Sequence, residues 1–175
     1  MNNPHMPPEL LQVTNDIELV RSEPLDGALY LGMLMEDDAE YLDLSASQYA
    51  AEECFSMHNA MVDGTMLSYW VDYQGAKVGH LGIVRVKEQA TQESHWAMEY
   101  WLVRAARAQG IMPRAARRVL DYAFGANRFN EVVLDITPEN TASQSVARKI
   151  GGILIPEESD AERQRWRVYK ESANA

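Results

Sequence analysis

The stretch Val103–Phe124, VRAARAQGIMPRAARRVLDYAF, decides how this chain is read. Between positions 100 and 120 it carries five arginines (Arg104, Arg107, Arg114, Arg117, Arg118) and no acid, in a protein of formal charge −10. Met112, Ala116, Val119, Leu120, Ala123 and Phe124 recur at helical spacing. They predict a helix from about Met112 with one apolar face, and Arg114, Arg117, Arg118 and Asp121 opposite it. A strand ends near Val103, so Gly110 falls in the turn between strand and helix. The first amides of a helix have no partner inside it and sit at the positive end of the macrodipole. Such an end binds phosphate, the more readily where glycine lets an anion approach the backbone. The arginines are equally what a solvated helix face would carry, and there is no Walker lysine pattern. On charge alone both readings stand.

Outward from this turn, the chain reads as alternating sheet and helix. DIELVR (16–21) is expected to be the first strand. From Asp26 to about Val62 the sequence is rich in Ala, Leu, Met and Glu without proline, which predicts one or two helices. MLSYWVDYQG sets Leu67, Tyr69, Val71 and Tyr73 against Ser68, Trp70 and Asp72, a strand of period two. KVGHLGIVRVKE forms a hairpin with it, and Gly79 and Gly82 inside that strand mark a bulge or a close backbone approach. SHWAMEYWLV (94–103) is the next strand. After the helix, EVVLDI (131–136) is a buried strand, expected to be parallel to its predecessor across the helix. NTASQSVARKIGG is a shorter helix stopped at Gly151–Gly152, and ILI and RWRVYK are short final strands.

At 175 residues the chain has room for one domain with a real core. Residues 1–15 are expected to be a flexible, Pro-rich tail and 16–172 the domain. No window approaches a membrane span, and MNNPHMPPELLQ lacks the basic and apolar regions of a signal peptide. A cytoplasmic setting is expected. Cys54 is the only cysteine, so no internal disulfide is possible; beside Phe55 and Met57 it reads as a buried filler rather than a nucleophile. Cysteine and histidine show no zinc spacing, and no metal site is expected. The acidic balance argues against a nucleic-acid surface and is compatible with a cationic substrate.

Residues 99–152 resemble the acetyl-CoA-binding core of the GNAT N-acetyltransferases, in particular the branch of the ribosomal-protein alanine acetyltransferases, RimJ and RimL. The resemblance rests on Arg107-Ala108-Gln109-Gly110-Ile111-Met112, similar to the family's pyrophosphate loop; on EYWL before it; and on ITPENTASQSVARKIGG after it. Including the hairpin it covers about 66–155. It implies a mixed α/β fold with one mostly antiparallel sheet of about six or seven strands. The fourth and fifth strands would splay around the pantetheine arm of the cofactor, and helices would cover both faces.

The resemblance implies acetyl-CoA as the acyl donor, without metal. Cofactor contacts would come from Arg107, Gln109, Gly110, Ile111, Met112, Arg114 and Asn140, the last of which also reads as a plain helix N-cap. The oxyanion would be held by the backbone N–H of Leu102 or Val103, because splay leaves strand donors unpaired. Glu99 matches a glutamate proposed as general base in the Rim branch. Its neighbours Met98, Tyr100 and Trp101 would desolvate it; otherwise it is a solvated partner of an arginine. Ser143 matches a serine near the thioester and would serve the thiolate directly or through water; a first-turn serine also commonly bonds backbone. Trp70, Trp96 and Trp101 are candidates for an aromatic wall on the acceptor side, or for core packing. Of His58, His80 and His95, only His95 lies near Glu99.

Three departures stand out. Pro113 removes one amide at the helix start, where a first-turn proline is tolerated. Ala147 stands where many relatives have a tyrosine that protonates the thiolate, and Gly152 stands where phenylalanine is usual. The expected activity is direct acetyl transfer to a primary amine in a ternary complex. The acceptor would be a protein N-terminus or a small aminoacyl or antibiotic-like amine, as in resistance and self-immunity enzymes. A non-catalytic acyl-CoA-binding regulator is the alternative, and a homodimer is left open.

Overall fold

The computed structural model describes residues 5–26, 46–88 and 92–170, with side chains described from 54 onward in the helix that begins at Ala46. Eight strands make one mixed sheet in the order β1-β2-β3-β4-β5-β6-β8-β7. They are β1 (Leu10–Gln12), β2 (Ile17–Arg21), β3 (Met66–Tyr73), β4 (Ala76–Lys87), β5 (Ser94–Leu102), β6 (Glu131–Ile136), β7 (Ile153–Leu154) and β8 (Gln164–Tyr169). Three α-helices accompany them among the described residues: α1 (Ala46–Val62), α2 (Ile111–Gly125) and α3 (Thr141–Lys149). The rest of the helical region expected from Asp26 onward, 27–45, lies outside the described residues. No described helix is long and apolar enough to cross a membrane.

The chain forms two compact units, one from residues 1–82 and 100–111, the other from 83–99 and 112–175. In the first, a strand not expected from sequence forms ahead of DIELVR, inside the N-terminal tail. β1 pairs antiparallel with β2, Leu11 opposite Leu19, and both leucines are buried. A single inward leucine is too short a signal for periodicity, so only its partner reveals the strand. β2 continues antiparallel onto β3, with Leu19 opposite Val71.

The alternation expected for β3 is absent, because Met66 through Val71 are all buried. Ser68 and Trp70 in that run are hydrogen-bonded inside. Ser68 Oγ donates to Ser22 Oγ (2.9 Å) and lies 2.9 Å from His80 Nε2, and Trp70 Nε1–H donates to Asp26 Oδ2 (2.7 Å). Burying a hydroxyl without such partners would cost about 1–3 kcal/mol, so the hydrogen bonds are what allow a two-sided core strand here.

In the second unit the apolar stripe of α2 is buried as expected, Met112, Ala116, Val119, Leu120, Ala123 and Phe124, and Ala115 is buried with it. Each large aliphatic on it contributes about 1.5–3 kcal/mol. Phe124 meets Phe129 edge to face (5.7 Å), and Phe129 lies against Trp96 (4.8 Å). β6 and β8 pair over six residues, from Glu131–Tyr169 to Ile136–Gln164. By contrast, β5 and β6, the parallel pair, share the single register Ala97–Val133. This is the expected splay.

Helix α3 ends in a two-bond glycine cap. Gly151 has φ +86°, its N–H reaches Arg148 O (3.1 Å), and Gly152 N–H reaches Ala147 O (2.8 Å). A Cβ on Gly152 would stand 2.7 Å from the Ala147 carbonyl oxygen. That close approach leaves no room for a side chain at 152 in this backbone.

Candidate active site

The site begins with backbone. After β5, residues Arg104–Ala106 make one 3-10 turn, then Ala108 (φ +61°) and Gly110 (φ +70°) turn the chain into α2. A Cβ on Gly110 would meet nothing within 4 Å. Glycine is therefore needed for the left-handed backbone and for open access, not because a neighbour crowds it. Gln109 ties the turn down by donating Nε2–H to Ala105 O (2.8 Å).

The helix begins at Ile111, one residue earlier than expected. Ile111 and Met112 then stand in the first turn, ahead of the helical ladder, with Pro113 at the third helical position supplying no N–H. Arg114 N–H falls within the helical ladder, so Arg114 is left to act through its exposed guanidinium. Ile111 and Met112 have buried side chains and offer only their backbone. An open left-handed glycine, a helix start and arginine side chains are the donor types that bind a diphosphate.

Arg107 is half of a second feature. Its Nε–H donates to the Leu102 carbonyl at 2.8 Å, which commits one edge of the guanidinium to the end of β5. Val103 N–H donates to Val78 O on β4 at 2.9 Å. Val103 is thereby removed as an oxyanion donor, because its amide belongs to the β4–β5 ladder, and Leu102 is the remaining candidate.

Asn140 caps α3, its Oδ1 accepting the Ser143 N–H at 3.0 Å. The cap uses only the oxygen, so the Nδ2 donors are the part left for a ligand. Ser143 is half-buried in that first turn, and Ala147, one turn further on, is fully buried. Ala147 offers no side-chain donor.

Glu99 is exposed, so the desolvation expected from its aromatic neighbours is absent. Strand parity puts Met98 and Tyr100 on the other face of β5, and Trp101, of the same parity as Glu99, leaves it exposed. Parity also divides the tryptophans. Trp96 packs on Phe129, whereas Trp101 lies on the opposite side of β5 and meets Trp70 edge-on at 6.4 Å. The three cannot make one wall. Trp70 is 0% exposed and belongs to the core; Trp96 and Trp101 are half-buried.

His80 is buried against Trp70 (5.3 Å), and burial holds its pKa down from 6.5 to about 4. Its imidazole is neutral and structural. Cys54 is buried, as expected.

An ion-pair cluster in the second unit had no sequence signal. Arg165, only 7% exposed, meets Asp135 through two bonds of 2.9 Å, with Glu88 at 3.6 Å. Arg167 joins Glu131 and Glu158, each at 2.6 Å. Burial pushes the Asp135 carboxyl up, but the Arg165 hydrogen bonds and charge outweigh it and hold the group below the usual range. Arg163, 3.4 Å from Asp135, adds a third cation to these four carboxylates, and among the described residues no cluster could hold a metal ion.

Residues 17–153, which hold the parallel pair, the glycine turn and the capped third helix, match the Acetyltransferase (GNAT) domain family. The chain belongs to the GNAT acetyltransferase family. YkkB of Bacillus subtilis strain 168 is 29% identical over 144 residues, which cover 79% of this chain and 83% of YkkB.

Among solved structures, the RimL ribosomal L7/L12 alpha-N-protein acetyltransferase in complex with coenzyme A has a TM-score of 0.77 at 16% identity. The match covers 92% of this chain and 98% of that one. The microcin C7 self-immunity acetyltransferase MccE, in complex with acetyl-CoA and AMP, has a TM-score of 0.76 at 12% identity, covering 94% and 98%. The eight-stranded mixed sheet of this GNAT acetyltransferase is therefore the fold of the Rim enzymes.

Proposed function

We propose that this GNAT acetyltransferase transfers the acetyl group of acetyl-CoA directly to a primary amine within a ternary complex. The observation that carries the reading is the open, left-handed Gly110 turn at the start of α2 beside Arg107. Backbone amides of Gly110, Ile111 and Met112 and the guanidinium groups of Arg107 and Arg114 hold the diphosphate. Asn140 Nδ2 binds the pantetheine arm.

Leu102 N–H receives the thioester oxygen as negative charge develops on it. Glu99 takes a proton from the attacking amine, directly or through one water. The carbon–nitrogen bond forms, the carbon–sulfur bond breaks, and Ser143 orients the proton that reaches the departing thiolate. No cysteine is required, and buried Cys54 suits a reducing cytoplasmic setting.

The acceptor is a protein N-terminus or a small aminoacyl amine. RimL, an alpha-N-protein acetyltransferase, and MccE, a microcin C7 self-immunity acetyltransferase, share the fold. The test is calorimetry with acetyl-CoA, followed by thiol release with N-terminal peptides and small amines. Binding with turnover on any of these amines supports the reading. Binding without turnover favours an acyl-CoA-binding regulator, the reading that Ala147 and the exposed Glu99 would suit, and absence of binding overturns both.

A further inference from the structure

Gly79, on β4, is needed for room rather than for an unusual φ. A Cβ there would stand 2.2 Å from the Trp101 carbonyl oxygen, 2.7 Å from Leu102 Cδ2 and 3.0 Å from Leu102 Cα. The Trp101–Leu102 peptide is thus pressed carbonyl-first against the β4 backbone. Because a trans peptide sets its N–H opposite its carbonyl, the Leu102 N–H faces away from β4. The next peptide is locked in the opposite sense: Val103 N–H is held by Val78 O at 2.9 Å, and the Leu102 carbonyl by Arg107 Nε–H at 2.8 Å. Three contacts therefore fix the orientation of one amide, and the closest depends on position 79 having no side chain.

We infer that Gly79 is a positioning residue for acyl transfer: by admitting the Trp101 carbonyl against β4, it aims the Leu102 N–H at the thioester oxygen. The inference rests on the acetyl-CoA reading above. Any side chain at 79 must displace the Trp101–Leu102 peptide and turn its N–H, while the Gly110 turn is untouched. Misplacing one oxyanion donor lowers turnover by about 10²-fold.

The test follows the backbone amide resonances of residues 102 and 110 in ¹⁵N-labelled protein on adding coenzyme A and then acetyl-CoA. In the wild type, Gly110 should respond to both ligands and Leu102 more strongly to acetyl-CoA. In Gly79→Ala, the Gly110 response should persist and the acetyl-dependent difference at Leu102 should vanish. A difference that survives at Leu102 overturns the role of Gly79 and leaves the diphosphate site standing. A Gly110 amide indifferent to coenzyme A in the wild type removes the cofactor reading and this inference together. Should Gly79→Ala fail to fold, Gly79→Ala with Leu102→Ala removes the Cδ2 clash but keeps the carbonyl clash, and residue 102 is read in the same way.

Discussion

The guanidinium of Arg107 and the carbonyl of Leu102 are joined by a 2.8 Å hydrogen bond, which ties the phosphate turn to the strand end that would hold the thioester. Lysine cannot reproduce both contacts, since its single ammonium lacks the planar fork. Arg107→Lys should raise the KM for acetyl-CoA about tenfold and also lower kcat, the loss of one charge-assisted bond being worth about 1.5–3 kcal/mol. Steady-state kinetics at varied acetyl-CoA will check this; a KM effect with kcat untouched would restrict Arg107 to phosphate binding.

Gly110 separates conformation from charge. Its φ of +70° costs an L-residue about 1–2 kcal/mol, and the open space around it adds no clash. Gly110→Ala should lower stability by that amount and weaken coenzyme A binding modestly. Gly110→Glu should weaken binding far more than it lowers Tm, because a carboxylate then faces the diphosphate. Calorimetry and thermal melts on both variants give the comparison.

Glu99 and Ser143 are expected to act on chemistry rather than on binding. Glu99→Gln should lower kcat by about 10²–10⁴-fold and abolish the acidic limb of the kcat/KM profile, with the coenzyme A Kd unchanged. Ser143→Ala should lower kcat less, because water can substitute for its hydroxyl. Thiol release across pH with an accepted amine will read both; an unaltered profile in Glu99→Gln would assign the base elsewhere.

His80 makes stability depend on pH. Its folded pKa of about 4 lies below the ordinary 6.5, so the unfolded chain binds more protons between those values. The stabilisation is complete above pH 6.5 and is lost as pH falls toward 4. At about 1.4 kcal/mol per pH unit the loss is about 3 kcal/mol. His80→Gln should start less stable and flatten the slope in that window, as chemical denaturation between pH 4 and 8 will report. The low-titrating Asp135 contributes a separate loss further into acid, which the variant should retain.

The central β5-turn-α2-β6-α3 order was legible because each part has a local signature: alternating aromatics, a glycine before an apolar stripe, an Asn cap and a Gly-Gly stop. Gly79 was legible as a close approach, though not what it approaches. The Arg165–Asp135 pair was not, since residues 30 apart in sequence meet only once β6 and β8 are in register. Which tryptophan belongs to the core was not legible for a related reason. Adjacency of strands does not say which face a residue takes, and Trp70 was drawn inside by Asp26 and His80.

What the sequence by itself determined is the set of conformations that local chemistry dictates. Gly110 and Gly151 adopt positive φ, Asn140 caps a helix, and α2 shows one apolar side, each following from the residue and its near neighbours. Only the tertiary structure decided which backbone amide is left to meet a substrate. Val103 and Leu102 are equivalent in sequence, but β4 takes the N–H of one and turns the other away, and that choice depends on a strand register more than twenty residues distant. Exposure of Glu99 and burial of Trp70 were settled in the same way, by partners the local sequence does not name.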